Sequence, residues 1–240
     1  MKMPSTSGFL GFYSGVVTAL LVAVMSGSLT ADEAASTRTF EEITVKRINV
    51  IEPDGKVRLI ISDKARFPGF IFKGREYAFQ RGTAGMLFFN DEGSENGGLI
   101  FGGSMQAGQA SSFGHLSFDA YMQDQVMTLD SDQRGNAKGV SMLFWDRPSW
   151  PITDLLDLLT QIANLPPDQQ QTAIERFQNS RPQAKRRMLL ARNTDNSVGL
   201  QLKDSEGRDR IVIKVAGDGS PVLQFLDQNG NVVSQLPSTR

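Results

Sequence analysis

The chain has no cysteine and a single histidine, His115, in 240 residues. The absence of thiols excludes disulfides, iron–sulfur clusters, thiolate zinc sites, a cysteine nucleophile and a lipidated cysteine anchor. One imidazole leaves too few parts for most zinc enzymes and for a histidine-based triad. Phosphate loops, GxGxxG, GxSxG and HExxH are also missing, so the common enzyme signatures give no lead. The charge excess is small, with 25 Lys and Arg against 26 Asp and Glu, which removes the broad attraction that general nucleic-acid binding needs. At 40% apolar and 21% charged the composition is that of a folded domain, neither disordered nor multi-spanning. The length suits one large domain or two small ones, with a core that needs no covalent staple.

What is present begins with an apolar run. No charged residue occurs from Met3 through Ala31, and Gly8 to Met25 is almost unbroken hydrophobic sequence behind Lys2. Eighteen helical residues reach about 27 Å, close to the hydrocarbon thickness and longer than the usual apolar part of a cleavable signal. The spacing therefore predicts a transmembrane helix within residues 1–27, acting as anchor or signal peptide. Leu29-Thr30-Ala31 offers a cleavage site before Asp32. Gly11, Gly15, Ala19, Ala23 and Gly27 recur every fourth residue and would form a small-residue stripe for helix packing. Lys2 on one side and Asp32 and Glu33 on the other put the remaining chain outside the cytoplasm. Without Lys2 that remainder holds 24 cations against 26 anions.

Residues 28–39 are small and polar and read as a spacer. A β region follows over 40–147, built from runs such as Ile43 to Val50, Val57 to Ser62, Met86 to Phe89, His115 to Tyr121 and Val140 to Trp145. Each is short, rich in Ile, Val and Phe, and bounded by Gly, Asp or Asn, which is the strand signature. Residues 148–193 change period. Leu155, Leu156, Leu159 and Ile162, then Ala173, Ile174 and Phe177, then Met188 to Leu190 after Pro182 predict three short helices, punctuated by prolines. Residues 194–240 return to β hairpins. The expected fold is mainly β, an antiparallel hairpin meander closed as a sandwich or an open barrel, with an inserted three-helix segment.

One turn recurs. Glu52-x-Asp54-Gly55-x-x-Arg58, Asp204-x-Glu206-Gly207-x-x-Arg210 and Asp227-x-Asn229-Gly230 share a spacing, with Asn90-x-Glu92-Gly93 as a weaker copy. Glycine supplies a positive φ, the first acid accepts backbone N–H groups, and the arginine emerges across the hairpin from it. A calcium loop would need a closing bidentate Glu, which the spacing does not provide.

The stretch from Thr83 to Gly103 (TAGMLFFNDEGSENGGLIFGG), together with these turns, resembles a family of uncharacterised bacterial proteins that carry one amino-terminal hydrophobic segment. The resemblance covers most of Glu41 to Arg147. It implies a bacterial source and an envelope location. The apolar run and its flanking charges add the expected topology, single-pass in the cell membrane with the folded part outside, or secreted or periplasmic if the segment is cleaved. It assigns no catalytic residue, metal or cofactor.

Several groups carry candidate chemistry. His115, Ser117 and Asp119 alternate on one strand face opposite Leu116 and Phe118, too widely spaced for a relay within one strand, and are expected on a solvated face. Glu76, Asp119 and Asp124 are candidates for paired carboxylates. Trp145 and Trp150 flank the strand-to-helix border, where packing is the expected role. Gly97-Gly98 and Gly102-Gly103 are expected to be structural. Arg181, Lys185, Arg186, Arg187 and Arg192 would load the third helix with positive charge. The most biased stretch is Lys64 to Arg81, in which five cations interleave with five aromatics. It predicts a hairpin with Lys73 and Arg75 at its tip, and a ligand surface if Tyr77 or Phe67 stands exposed beside them. The expected function is a membrane-tethered, extracytoplasmic β domain with a structural or binding role and no catalysis. The rival class is an envelope polysaccharide hydrolase using two carboxylates. Expected partners are the membrane through the amino-terminal helix, with anionic lipid, an envelope glycan, a protein or a second copy as further candidates, and no nucleic acid.

Overall fold

A computed structural model describes residues 37–238. The apolar run, the Gly11-to-Gly27 stripe and the cleavage site lie outside the described residues, and among the described residues no helix is long and apolar enough to cross a membrane. From Val45 onward the described residues form one compact unit.

Twelve strands make one antiparallel sheet. They are β1 (Arg47–Ile51), β2 (Val57–Ser62), β5 (Ala84–Phe89), β6 (Glu95–Gln106), β7 (Gln109–Asp119), β8 (Gln125–Arg134), β9 (Ala137–Asp146), β10 (Lys185–Arg192), β11 (Val198–Lys203), β12 (Asp209–Val215), β13 (Pro221–Leu226) and β14 (Val232–Leu236). Each pairs with the next in that order. Two short strands, β3 (Phe70–Phe72) and β4 (Arg75–Tyr77), form a separate hairpin, and α1 (Thr153–Ile162) and α2 (Pro167–Asn179) sit between β9 and β10. The fold is thus mainly β, with one large antiparallel sheet; among the described strands no second large sheet faces it and β1 does not pair with β14.

The meander follows from its turns. Gly55, Gly93, Gly207 and Gly230 each donate a backbone N–H to the carbonyl three residues earlier, at Glu52, Asn90, Asp204 and Asp227, and each of those four residues donates its own N–H to the carbonyl four residues later. This is the type I turn with a left-handed fourth residue, which leaves a bulge where the hairpin closes. The φ of Gly207 is 79° and of Gly230 is 84°. The same bonds close Ala120–Asp124, Asn193–Ser197 and Ala216–Ser220, three copies that the acid-first spacing did not reveal. The expected cross-turn pairs form: Arg58 lies 3.3 Å from Glu52, and Arg210 lies 3.8 Å from Asp204.

The third expected helix is a strand. Met188 to Leu190 fall in β10, where Leu190 lies opposite Met142 of β9 and Leu200 of β11. Two ready-made partners flank Met188 to Arg192 on both sides, and that outweighs the modest helix preference of Lys, Arg, Met and Leu. Four of the five cations, Lys185, Arg186, Arg187 and Arg192, therefore belong to a strand, and Arg181 precedes it, instead of all five loading one helix face. The two helices that do form have Pro167 and Asp168 in the first turn of α2 and Asp154 in that of α1, where a missing N–H and a negative charge are favourable.

Register divides the sheet into two unlike faces. Ile48 pairs with Ile61, Ile61 with Met86, Met86 with Leu99, Leu99 with Leu116 and Leu116 with Leu129. The same line continues through Met142, Leu190, Leu200, Ile213, Leu223 and Leu236. One apolar residue from every strand thus stands in a single ladder. On the reverse face the corresponding line contains Ile60 and Leu87 but also Ser117, Thr128, Gln201, Gln224 and Gln235.

It is the mixed face that is covered. Ile60, Leu87 and Phe89 pack with Val57, Phe67 and Ile71, and Phe72 and Tyr77 of the small hairpin pack with Leu156 of α1. Trp150 donates its indole N–H to the Pro182 carbonyl at 2.9 Å and meets Phe177 edge-on at 5.3 Å, the packing role expected for it. The ladder face carries no helix or hairpin among the described residues, and Phe118, Leu129, Leu190 and Ile213 on it stand exposed.

Candidate functional site

The surface singled out from sequence forms its hairpin, with Phe70 opposite Tyr77 and Lys73 and Gly74 in the turn. Its chemistry is largely used internally. Tyr77 is only 6% accessible, packed with Phe72 and Leu156, with the Arg75 guanidinium 4.3 Å above its ring. Arg75 is held 2.9 Å from Asp157 of α1, Lys73 lies 3.8 Å from Glu92, and Phe67 packs against the Ile60 cluster. The exposed aromatic that this surface required is therefore not present at Tyr77, because α1 covers it.

Beneath α1 lies a cavity of about 250 Å³. Phe70, Phe72, Ile152, Leu155, Leu156 and Leu159 supply its apolar wall, and Arg81, Glu95, Asp119, Gln123 and Asp124 supply its polar end. Two carboxylates named from sequence, Asp119 and Asp124, thus share one space; Glu76 does not, and its Oε1 accepts the Gly69 N–H at 2.8 Å. Glu95 is buried and takes a hydrogen bond from Arg81 at 2.5 Å; burial still raises its pKa above the ordinary value despite that cation. Arg147 lies 3.4 Å from Asp124.

Asp119 has no such partner. Its Oδ1 is buried without a hydrogen bond among the described residues. Burial first, and then the nearby charges of Glu95 and Asp124, push its pKa up to about 7. The strand face of His115, Ser117 and Asp119 was expected in water and is instead roofed: Ser117 is buried, and His115 Nδ1 lies 2.5 Å from Asp130, which also accepts the Thr128 hydroxyl at 2.6 Å. The cavity can take a small amphipathic molecule with a donor group, and Asp119 can exchange a proton near neutral pH. Among the described residues no three His, Asp or Glu side chains are grouped to hold a metal.

Sequence reasoning missed Arg81, Glu95 and Gln123 as members of one polar end, and Arg147 as the partner of Asp124. Glu95 directly follows the Asn90–Ser94 turn, so its place at a strand start was legible, while the roof that α1 puts over it was not. The other surface missed is the ladder face itself. It holds a hollow of about 560 Å³ lined by Leu99, Leu116, Leu129, Met142, Leu190 and Val198 among others. Its signal was the alternation of each strand, which reveals an apolar side but not whether anything covers it.

The glycines expected to be structural are so. A Cβ on Gly97 would lie 2.3 Å from the Ser117 carbonyl oxygen, and one on Gly98 would lie 2.6 Å from that of Met86. No family model matches the chain, and no curated protein matches it in sequence.

Proposed function

We propose that this chain is a non-catalytic docking module of the bacterial envelope, held at the membrane by its amino-terminal segment and working through the bare apolar face of its sheet. The observation that carries the reading is the uninterrupted ladder from Ile48 to Leu236, which stays substantially accessible while Ser117 and Thr128 behind it are buried. Isolated soluble domains rarely leave a contiguous apolar patch beyond a few hundred Å², and larger ones mark sites of contact. The envelope location rests on the apolar run behind Lys2 and on the resemblance of Thr83 to Gly103.

The test uses four methionines of this face, Met86, Met127, Met142 and Met188. In intact cells their oxidation by peroxide should be at least tenfold slower than in the urea-unfolded chain. Oxidation at the unfolded rate would mean that nothing covers the face and would overturn the reading.

A second reading, a hydrolase using two carboxylates, draws on Asp119 beside Glu95 and Asp124. It is the weaker one. Glu95 and Asp124 are each engaged by an arginine, and a cavity of about 250 Å³ is smaller than ordinary ligand pockets of roughly 300–1,000 Å³ and cannot thread a sugar chain. Release of reducing ends from envelope polysaccharide by the full chain, lost in Asp119→Asn, would reverse this preference.

A further inference from the structure

We infer that the occupant of the bare face is a second copy of this chain, packed sheet on sheet. The inference rests on the docking reading above and names the partner. An antiparallel sheet with one apolar side becomes stable by facing another at about 10 Å, as in a sandwich. The described chain supplies only one large sheet, so the facing layer must come from outside it.

The chemistry of the face selects the partner. Its ladder is uncharged from Ile48 to Leu236, and the neighbouring line contributes Leu59, Phe88, Phe118, Met127, Phe144 and Met188. The charges that β9 and β10 place on this side, Lys138, Asp146 and Arg192, lie toward the strand ends; Arg192 is already bound to the Lys138 carbonyl and the Asn196 side chain, and Asp146 to Arg187. A partner recognised by charge would find none on the ladder or on the Leu59-to-Met188 line beside it. An identical face meets all requirements at once, because apolar rows interdigitate with apolar rows, and a two-fold arrangement makes one patch serve both sides.

The area is sufficient. Val140 and Phe101 are about half exposed, Leu190 is 44% and Ile213 47% exposed. At about 150–250 Å² for a large side chain and roughly half exposure, about ten such residues present ~1,000 Å² per copy. That gives ~2,000 Å² between two, the upper end of the standard range and the lower end of the obligate one. Obligate interfaces between copies are also the more apolar class.

The absence of native cysteine makes the test clean. Single cysteines are placed in the full chain at Leu99, Leu129, Leu190 and Ile213 on the ladder face, and at Ser111 on the reverse face, as Leu99→Cys, Leu129→Cys, Leu190→Cys, Ile213→Cys and Ser111→Cys. Intact cells are treated with a bis-maleimide of about 10 Å span, the separation of packed sheets. The inference requires at least one ladder position to give a covalent dimer of the chain at ten times or more the yield of Ser111→Cys. No dimer from any ladder position, or equal yield from Ser111→Cys, overturns it. If dimers are absent while Met142 and Met188 stay protected from peroxide, the docking reading survives with another occupant: lipid, a different protein, or residues 8–25 of the same chain. If the methionines also react at the unfolded rate, both fall.

Discussion

Ser117 and Phe118 are adjacent in β7, and their exposure is the reverse of their chemistry: Ser117 is 5% accessible and Phe118 is 42% accessible. The hairpin and α1 roof the side that carries the serine, while the phenylalanine projects from the unroofed side. The same contrast holds in β8, where Thr128 is 4% and Leu129 36% accessible, and it supports the proposed docking role of the apolar face.

It also separates two kinds of mutation. Leu87 is fully buried on the covered side, so Leu87→Ala should cost about 2–5 kcal/mol at any protein concentration. Phe118→Ser removes a ring from the open face, so its effect should appear mainly as a stability that depends on concentration. Urea unfolding of the full chain at two concentrations tenfold apart checks both; a large loss for Phe118→Ser that is independent of concentration would place Phe118 in an ordinary core.

Asp119 sets a pH dependence. Its pKa is raised from 3.8 to about 7 in the fold, so between those values the native state keeps a proton that the unfolded chain releases. Its contribution therefore favours the fold below about pH 4 and is lost as pH rises through 7. Asp119→Asn should stabilise the chain at pH 8 by up to about 4 kcal/mol, at 1.36 kcal/mol per unit, and should flatten stability between pH 4 and 7. An unchanged slope would show that Asp119 ionises normally.

Arg81 and Glu95 form the buried pair of the cavity, both at least mostly enclosed. Arg81→Met leaves Glu95 without its cation and should cost about 3–5 kcal/mol at pH 8. Adding Glu95→Gln should restore part of that loss, since the stranded charge is then gone. A double variant no more stable than Arg81→Met would mean that Arg81 acts by packing alone, over Phe70 at 4.4 Å.

Much of this fold is written in short-range pattern. Val57–Ser62, Phe70–Phe72, Val198–Lys203 and Val232–Leu236 are bounded by turn residues, and the strands end where the spacing ends. The Asp-x-x-Gly repeat is equally local, because one glycine φ and one backbone bond define it. Met188 to Leu190 are the instructive failure: their helix preference is weak, and what decides them is the presence of β9 and β11 on either side, which no window of sequence contains. The polar side of β7 failed for the same reason. Whether Asp119 faces water depends on where α1, more than thirty residues later, comes to rest.

The glycines give a local check on register. Gly97→Ala must drive a methyl group into the Ser117 carbonyl, 2.3 Å away, and should prevent stable pairing of β6 with β7. Gly55→Ala meets nothing within 4 Å and carries only the strain of φ 85°, about 1–2 kcal/mol. Similar losses at both sites by thermal unfolding would mean that the β6–β7 approach is looser than described.

The most direct measurement of the central claim is the mass of the full chain in mild detergent by light scattering, compared between wild type and the Leu190→Glu, Ile213→Glu double variant. Both substitutions put charge on the open face and leave the covered face untouched. The account predicts an assembly of two or more copies for wild type, and a single copy with unchanged far-ultraviolet circular dichroism for the variant. A wild-type chain that is monomeric at every concentration, or a variant that remains assembled, would contradict it.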